Sequence, residues 1–221
     1  MWPHLAPKLD DCRRHGPGSG AELFVVEGDS AAGSLRLVRD HERQAVLPMQ
    51  GKPLNADKAS PARVAAYPLF TALAEAVGAG QGPSFVLARR RYERVVLLMD
   101  ADADGIHCAA LMCLYFSRMM WPLLEAGHVF IAHAPLATVY AGPQATHVFT
   151  EVEYRAAADA LRAQGADVQT VRYRGLAGLS LATLAASCMH PDTRTLRVLG
   201  PGDAVAVRTV FGGTAPQPTL F

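Results

Sequence analysis

Short apolar runs alternate with longer amphipathic stretches along the first 130 residues of the chain. Residues 23–26, 95–99 and 129–132 form continuous runs that are rich in β-branched side chains and too short for helices. Such runs predict strands that are buried on both faces. Helical stretches are predicted after the first two runs, over residues 31–38 and about 107–125. This order predicts an α/β fold with an open parallel sheet covered by helices.

The rest of the pattern divides the chain into three parts. Residues 1–20 are polar and rich in Gly, Pro and His, which predicts an entry segment, and residues 21–142 hold the predicted sheet. Within that part, residues 47–55 are predicted as a loop and 62–77 as a helix. The pattern of apolar and polar residues changes near Phe149, and we expect residues 143–221 to form a small appended α+β subdomain. Its predicted elements are a helix over 151–164, a strand over 168–173 and a helix over 180–188.

Composition narrows the class of protein. Half of the 221 residues are apolar, only 19% are charged and the net charge is +1, so the chain can bury a core and is not a polyelectrolyte. Contact with a nucleic acid must then come from local patches. The apolar stretches are shorter than the roughly 20 residues of a membrane span, and the N-terminus lacks a signal-peptide pattern. We therefore expect a cytoplasmic protein with no membrane partner and four reduced cysteines.

Acidic side chains follow two of the predicted strands. Asp100, Asp102 and Asp104 come on alternate residues after the second strand, so an extended backbone would point all three to one side. Each pair would repel by roughly 2–4 kcal/mol at an effective dielectric of about 20, which predicts a cation between them. Oxygen ligands favour Mg²⁺, Mn²⁺ or Ca²⁺ over Zn²⁺. A calcium-binding EF-hand does not fit, because Leu111 stands where that loop needs a glutamate.

Glu27 ends the first predicted strand, and the carboxyl ends of parallel strands meet at one edge of a sheet. Carboxylates that hold Mg²⁺ beside a phosphate are typical of phosphodiester chemistry. Glu27 could there serve as general acid or base. The alternative is a solvated acidic turn without a function.

Three blocks of sequence resemble the signature blocks of the Toprim region of type IIA DNA topoisomerases, in particular the B subunits of DNA gyrase and topoisomerase IV. Shorter resemblances continue in order from about residue 7 to 211. The three blocks are EGDSAAGS at 27–34, LPMQGKPLN at 47–55 and MDADADGIH at 99–107.

The resemblance implies a Rossmann-like Toprim sheet over residues 21–142 and a role for each matching residue. Glu27 is implied to be both a metal ligand and the catalytic acid or base. Asp100 and Asp102 are implied to hold Mg²⁺, for which Mn²⁺ could substitute, and Asp104 to support or share that shell. Lys52 and Asn55 are implied to lie against double-stranded DNA, which suits a lysine as a point charge for phosphate.

The resemblance also implies a function. The chain would be a component of an ATP-hydrolysing type II topoisomerase, an isomerase, and would assist double-strand DNA cleavage and religation. An A-type subunit would supply the attacking tyrosine, so the chain would not act alone. The ATPase region and transducer that precede this part in the family are missing from the sequence, and a separate ATPase chain is a further candidate partner. Two alternatives remain: a non-catalytic module that binds or modulates an A subunit or DNA, and a stand-alone metal-dependent nuclease.

The chain also departs from the family pattern. Gln50 stands in place of an arginine, and Ile106 and Ala109 replace a serine and an arginine around His107. Ala177 replaces a glycine in the later part of the chain. All four acidic positions are kept, so we expect an intact metal site within weakened DNA-facing surroundings.

Overall fold

The computed structural model describes residues 6–211 and contains two sheets. The strands are β1 (Glu22–Glu27), β2 (Gln44–Met49), β3 (Arg94–Leu98), β4 (Val129–Ala132), β5 (Ala137–Ala141), β6 (Gln144–Val148), β7 (Val168–Arg172) and β8 (Leu196–Leu199). The α-helices are α1 (Gly28–Val38), α2 (Pro61–Ala65), α3 (Pro68–Val77), α4 (Ala103–Met119), α5 (Trp121–Glu125), α6 (Glu151–Ala163), α7 (Leu181–Leu184) and α8 (Pro201–Val210). One turn of π-helix, Ala185–Met189, continues α7.

The larger sheet has the strand order β2-β1-β3-β4-β8. Its first four strands are parallel, and β8 is antiparallel to β4. Leu23 and Val25 pack into the apolar cluster on one face, while Phe24 and Val26 pack into the cluster on the other. Burial of such side chains stabilises the fold by about 1.5–3 kcal/mol each. The predicted α/β fold, with its strand buried on both faces, is confirmed.

Strand β2 lies where the sequence predicted the start of a loop. Pro48 made a strand look unfavourable there, because proline donates no hydrogen bond. Val46 exchanges two hydrogen bonds of 2.9 Å with Asp10 on the outer side of β2. Pro48 is two residues further on and faces the same outer edge, so its missing N–H breaks no bond to β1.

Proline also divides two of the predicted helices. The stretch 62–77 forms α2 and α3, because Tyr67 precedes Pro68 and has extended backbone angles (φ −72°, ψ 123°). The stretch 107–125 forms α4 and α5, and Pro122 lies in the first turn of α5, where proline is tolerated.

The smaller sheet is antiparallel, with the order β6-β5-β7, and α6 packs on it. The predicted boundary at 142/143 falls in the turn between β5 and β6, which pair with each other. Beyond this sheet the chain returns to the larger one, where β8 pairs with β4 and α8 packs on α4. The division into domains remains a prediction, but β8 and α8 belong structurally to the larger sheet.

A helix that spans a membrane needs about 20 apolar residues. Within residues 6–211, no helix is both long enough and apolar enough to cross a membrane.

Candidate metal and nucleic-acid site

Glu27 and Asp100 lie at the same edge of the larger sheet. Glu27 is the last residue of β1, and Asp100 follows β3, the parallel neighbour of β1. Partial burial raises the pKa of Glu27, and the negative charges of Asp100, Asp102 and Asp104 raise it further; Lys52 acts in the opposite direction. The structure therefore brings together the acidic residues that the sequence placed at strand ends.

One oxygen of Glu27 receives no hydrogen bond from residues 6–211. Its Oε2 atom is buried and has no partner among the residues that the structure describes. A buried acceptor without a donor costs about 1–3 kcal/mol, so such atoms call for a bound group. The negative charges nearby specify that this group should be a cation.

Asp100 is held by a segment that is distant in sequence. The Leu176 N–H donates a 2.8 Å hydrogen bond to Asp100 Oδ1. Burial raises the pKa of Asp100 and Asp102 adds to this, while the bond from Leu176 opposes it. Gly175 has φ +126°, and a Cβ atom there would lie 2.5 Å from Asp100 Oδ2. Gly175 and Leu176 are site residues to which the sequence assigned no role, although they fall in a resembling block.

Asp102 caps helix α4, which changes the expected arrangement of the aspartates. Its Oδ1 atom accepts a 2.8 Å hydrogen bond from the Gly105 N–H. Since the helix begins at Ala103, the backbone is not extended as far as Asp104, and the expectation that all three carboxylates share one extended face was wrong. Gly105 allows this tight turn, because a Cβ atom there would lie 2.1 Å from the Asp100 carbonyl oxygen.

Asp104 is neutralised by a side chain of the protein. Lys52 Nζ lies 2.7 Å from Asp104 Oδ1 and 3.4 Å from His107 Nδ1. The hydrogen bond and charge of Lys52 lower the pKa of Asp104, and the same bond raises the pKa of Lys52. The Asp104 side chain is 73% exposed. Asp104 therefore differs from Glu27 and Asp100, whose pKa values are raised.

Asn55 shapes its own loop. Its Oδ1 atom accepts hydrogen bonds from the N–H groups of Asp57 (3.0 Å) and Lys58 (3.1 Å), which makes a local turn. The side-chain NH₂ of Asn55 is the group that this turn leaves for another partner. Contact of Asn55 and Lys52 with DNA remains a prediction.

The block that follows Glu27 differs from expectation at Asp29. A helix was predicted from residue 31, but α1 begins at Gly28 and Asp29 lies in its first turn. Asp29 accepts hydrogen bonds from Lys8 (2.8 Å) and Gln50 (3.1 Å). Gln50, one of the departures from the family pattern, thus contacts the acidic block directly.

A second group of ligand-type side chains lies elsewhere. Asp11, Cys12 and His15 bring three such atoms within 4.8 Å of one another. Asp11, however, accepts hydrogen bonds from the buried Arg91 guanidinium and from Tyr92 (2.6 Å). Burial raises the pKa of Asp11, but hydrogen bonds from His15, Tyr92 and Arg91 outweigh it and lower the pKa overall. The Arg91 guanidinium already supplies the positive charge beside Asp11, so we interpret Asp11, Cys12 and His15 as part of a structural hydrogen-bond network and not as a metal site.

The fold and the acidic edge define an α/β domain whose oxygen-only donor set suits a hard divalent cation. Residues 22–134, about half of the chain, match the family described as Toprim domain. The chain belongs to the Toprim domain family.

Three curated relatives show where similar sequence occurs, and all three are B subunits of DNA gyrase. The protein from Archaeoglobus fulgidus is 38% identical over 207 residues, which cover 94% of this chain and 32% of the relative. The protein from Thermus thermophilus is 36% identical over 211 residues, which cover 94% of this chain and 33% of the relative. The protein from Thermotoga maritima is 39% identical over 192 residues, which cover 87% of this chain and 30% of the relative. The chain spans about a third of the length of these relatives. The resemblance to gyrase B subunits is confirmed.

Proposed function

We propose that this chain is the Mg²⁺-binding Toprim part of a type IIA DNA topoisomerase of the gyrase B kind. The observation that carries the proposal is the buried Glu27 oxygen, which lacks a partner within residues 6–211 and is surrounded by negative charge. The similarity to curated gyrase B subunits supports it. The proposed function is to assist cleavage and religation of double-stranded DNA.

Each site residue has a proposed role. Glu27, Asp100 and Asp102 would hold Mg²⁺, which when bound supplies a Lewis acid for phosphodiester chemistry. Glu27 is also the proposed general acid or base, which moves a proton to or from the oxygen that leaves or attacks. Asp104 supports the shell and holds Lys52 at the same edge. Lys52 and Asn55 would contact the DNA backbone.

The chain would act only in a larger assembly. An A-type subunit would supply the tyrosine that attacks DNA, and an ATPase part would couple the reaction to ATP hydrolysis. The net charge of +1 gives the chain little non-specific attraction to DNA, so the partner subunit would keep it there.

The direct test is a cleavage assay that contains this chain, a gyrase A subunit, DNA and Mg²⁺. We expect covalent DNA cleavage complexes, and we expect Glu27→Ala and Asp100→Ala to abolish them. Asp159→Ala is the matched control, because Asp159 is an exposed carboxylate of α6 that pairs with Arg162. Tight association with the A subunit but no cleavage would favour a non-catalytic module, and cutting of DNA without an A subunit would indicate a nuclease.

Metal binding can be tested without an assembly. Mg²⁺ or Mn²⁺ should raise the melting temperature of the chain, because binding to the folded state stabilises it. Asp102→Ala should remove this rise, and its lost helix cap should lower the starting temperature as well. The decisive quantity is therefore the change on adding metal. Equal rises in wild type and variant would contradict the proposed ligands.

A further inference from the structure

The loop of residues 50–60 contains Lys52 and Asn55 but no helix or strand. Its position must therefore come from side-chain contacts and local turns. Asn55 makes one such turn, and the Tyr67 hydroxyl donates a 3.2 Å hydrogen bond to the Lys52 carbonyl oxygen. Neither contact connects the loop to the far part of the chain.

The pair of Lys52 with Asp104 and two arginines outside the loop make that connection. Arg118, near the end of α4, donates hydrogen bonds to the carbonyl oxygens of Ala56 and Ala59 (2.8 Å to Ala59). Arg208, on α8, donates from Nε to Asp57 Oδ2 at 2.6 Å and from Nη2 to Ser117 Oγ at 2.7 Å. Arg208 therefore joins α8, α4 and the loop through one guanidinium.

Burial makes the Arg208 contact strong and specific. The Arg208 side chain is 8% exposed, and the Asp57 side chain is 25% exposed. A charged pair that is largely removed from water is costly to break, because the remaining partner keeps its desolvation penalty. The planar guanidinium also fixes direction, since its separate N–H groups reach Asp57 and Ser117 at once. Asp57 is two residues after Asn55, so this pair fixes the turn that Asn55 caps.

We infer that Arg208 is a positioning residue, which holds the loop so that Lys52 and Asn55 meet a DNA phosphate backbone. This inference rests on the proposed function, because it assigns DNA contact to the loop. Arg208 does not reach the acidic site: its bonds go to Asp57 and Ser117. It should therefore affect DNA binding and leave metal binding unchanged.

The test compares Arg208→Lys, which keeps the charge but loses the planar fork, with Asp57→Asn, which keeps the shape but loses the charge. Arg197→Gln is the matched control, since it removes the more exposed 2.6 Å pair with Asp203 at the start of α8. Circular dichroism shows which variants fold. If Arg208→Lys does not fold, Asp57→Asn still tests the same contact. Three quantities are measured on the full chain: amide hydrogen exchange, DNA affinity by fluorescence anisotropy, and the melting-temperature rise on adding Mg²⁺.

We expect both test variants to increase amide exchange at residues 57–59 and to weaken DNA binding about tenfold, the size of one lost hydrogen bond to a charged group. The Mg²⁺-dependent rise should stay as in wild type, and Arg197→Gln should change none of the three quantities. Adding Lys52→Ala to Arg208→Lys should weaken DNA binding by less than the two single effects combined, because Arg208 acts partly through Lys52.

Two results would overturn the inference while the proposed function stands. One is unchanged exchange at residues 57–59, and the other is full additivity with Lys52→Ala, which would mean that Arg208 contacts DNA by itself. If Lys52→Ala alone binds DNA as tightly as the wild-type chain, the result would contradict the proposed function, because the loop would then have no role in DNA binding.

Discussion

Glu27 shows how a single residue can be unfavourable for the metal-free fold and useful for the site. Its carboxylate is partly buried, repelled by three aspartates, and has one oxygen without a partner in the described part of the chain. A cation would offset each of these costs at once. The stability of the metal-free chain should therefore improve when the charge of Glu27 is removed.

The first prediction concerns Glu27→Gln without metal. The pKa of Glu27 is raised in the folded chain, so its protonated form favours folding below pH 4.5, the ordinary pKa of a glutamate, and this contribution is lost as pH rises through the raised value. The neutral amide should raise the melting temperature at pH 7 by about 2–4 °C, which corresponds to about 1 kcal/mol after allowance for partial exposure. Below the ordinary pKa the difference should vanish, because Glu27 is then protonated in both states.

Calorimetry across a pH series measures this effect. Glu125→Gln is the control, because Glu125 is an exposed carboxylate of α5. A lower melting temperature for Glu27→Gln at pH 7, in the absence of metal, would contradict the repulsion that we describe.

The second prediction concerns Gly175, whose backbone lies against the Asp100 carboxylate. Gly175→Ala places a Cβ atom 2.5 Å from Asp100 Oδ2, in a backbone conformation with φ +126° that favours glycine. We expect a loss of about 1–3 kcal/mol in stability and a smaller Mg²⁺-dependent rise in melting temperature. Gly178→Ala is the control, because none of the described residues comes within 4 Å of a Cβ atom there. Equal metal responses in the two variants would show that Gly175 does not shape the site.

Sequence reasoning located the acidic residues but not their partners. Strand ends are visible as the last residue of an apolar run, so Glu27 and Asp100 could be placed. The pair of Lys52 with Asp104 spans 52 residues, and the bond from Leu176 to Asp100 spans 76. Contacts over such separations depend on the path of the whole chain, which local patterns do not specify.

At the scale of elements, the segment before β1 is part of the fold. Asp10 bridges to β2, and the Asp11 carboxylate accepts hydrogen bonds from Arg91 and Tyr92. The Asp11 carbonyl oxygen also accepts a 2.9 Å hydrogen bond from Arg39. The polar composition of residues 1–20 predicted an entry segment, and the structure anchors its second half to the sheet.

The third prediction concerns this anchor. Asp11→Ala removes the carboxylate that accepts hydrogen bonds from Tyr92 and from the Arg91 guanidinium, which is 1% exposed, and we expect a loss of about 3–5 kcal/mol in the free energy of unfolding. Arg13→Ala is the control, because Arg13 and Glu42 form an exposed pair worth about 0–1 kcal/mol. Urea unfolding measures both. A loss below about 1 kcal/mol for Asp11→Ala would mean that the anchor is weak.

The strands β1, β3, β4 and β7 were predicted, whereas β2, β5, β6 and β8 were missed. The strands β1, β3 and β4 are continuous apolar runs, whereas β2 contains a proline at an edge that tolerates it. In β8 the two middle residues are exposed, so its pattern does not stand out from a loop. Strand order is a further property that periodicity does not contain, and for that reason the return of the chain to β4 was not foreseen.

At the scale of the whole molecule, electrostatics separates this chain from proteins that bind DNA by bulk charge. The net charge is +1, and Lys52 and Lys58 belong to the only three lysines of the sequence. Both lie on the loop held by Arg118 and Arg208. With a net charge near zero, attraction to DNA should depend on local cationic side chains and not on the charge of the whole chain.

The fourth prediction is the salt dependence of DNA binding by the isolated chain. Lys52 is the one cationic side chain that is proposed to meet phosphate, so the slope of log affinity against log salt should be about −1, since each such contact contributes about −0.9. Lys52→Ala should therefore remove most of the salt dependence. Anisotropy titrations over a salt series measure it. A slope of about −5 or steeper would show that a much larger cationic surface takes part.

Strand β8 has a consequence for the order in which the chain is made. Until residues 196–199 have left the ribosome, the outer side of β4 has no partner strand, and its N–H and C=O groups form an open sheet edge. The bond from Leu176 to Asp100 also forms late, so the acidic edge is assembled after most of the sheet exists. A nascent chain that stalls before residue 176 would thus carry an aggregation-prone edge at β4 and an Asp100 carboxylate without its donor from Leu176.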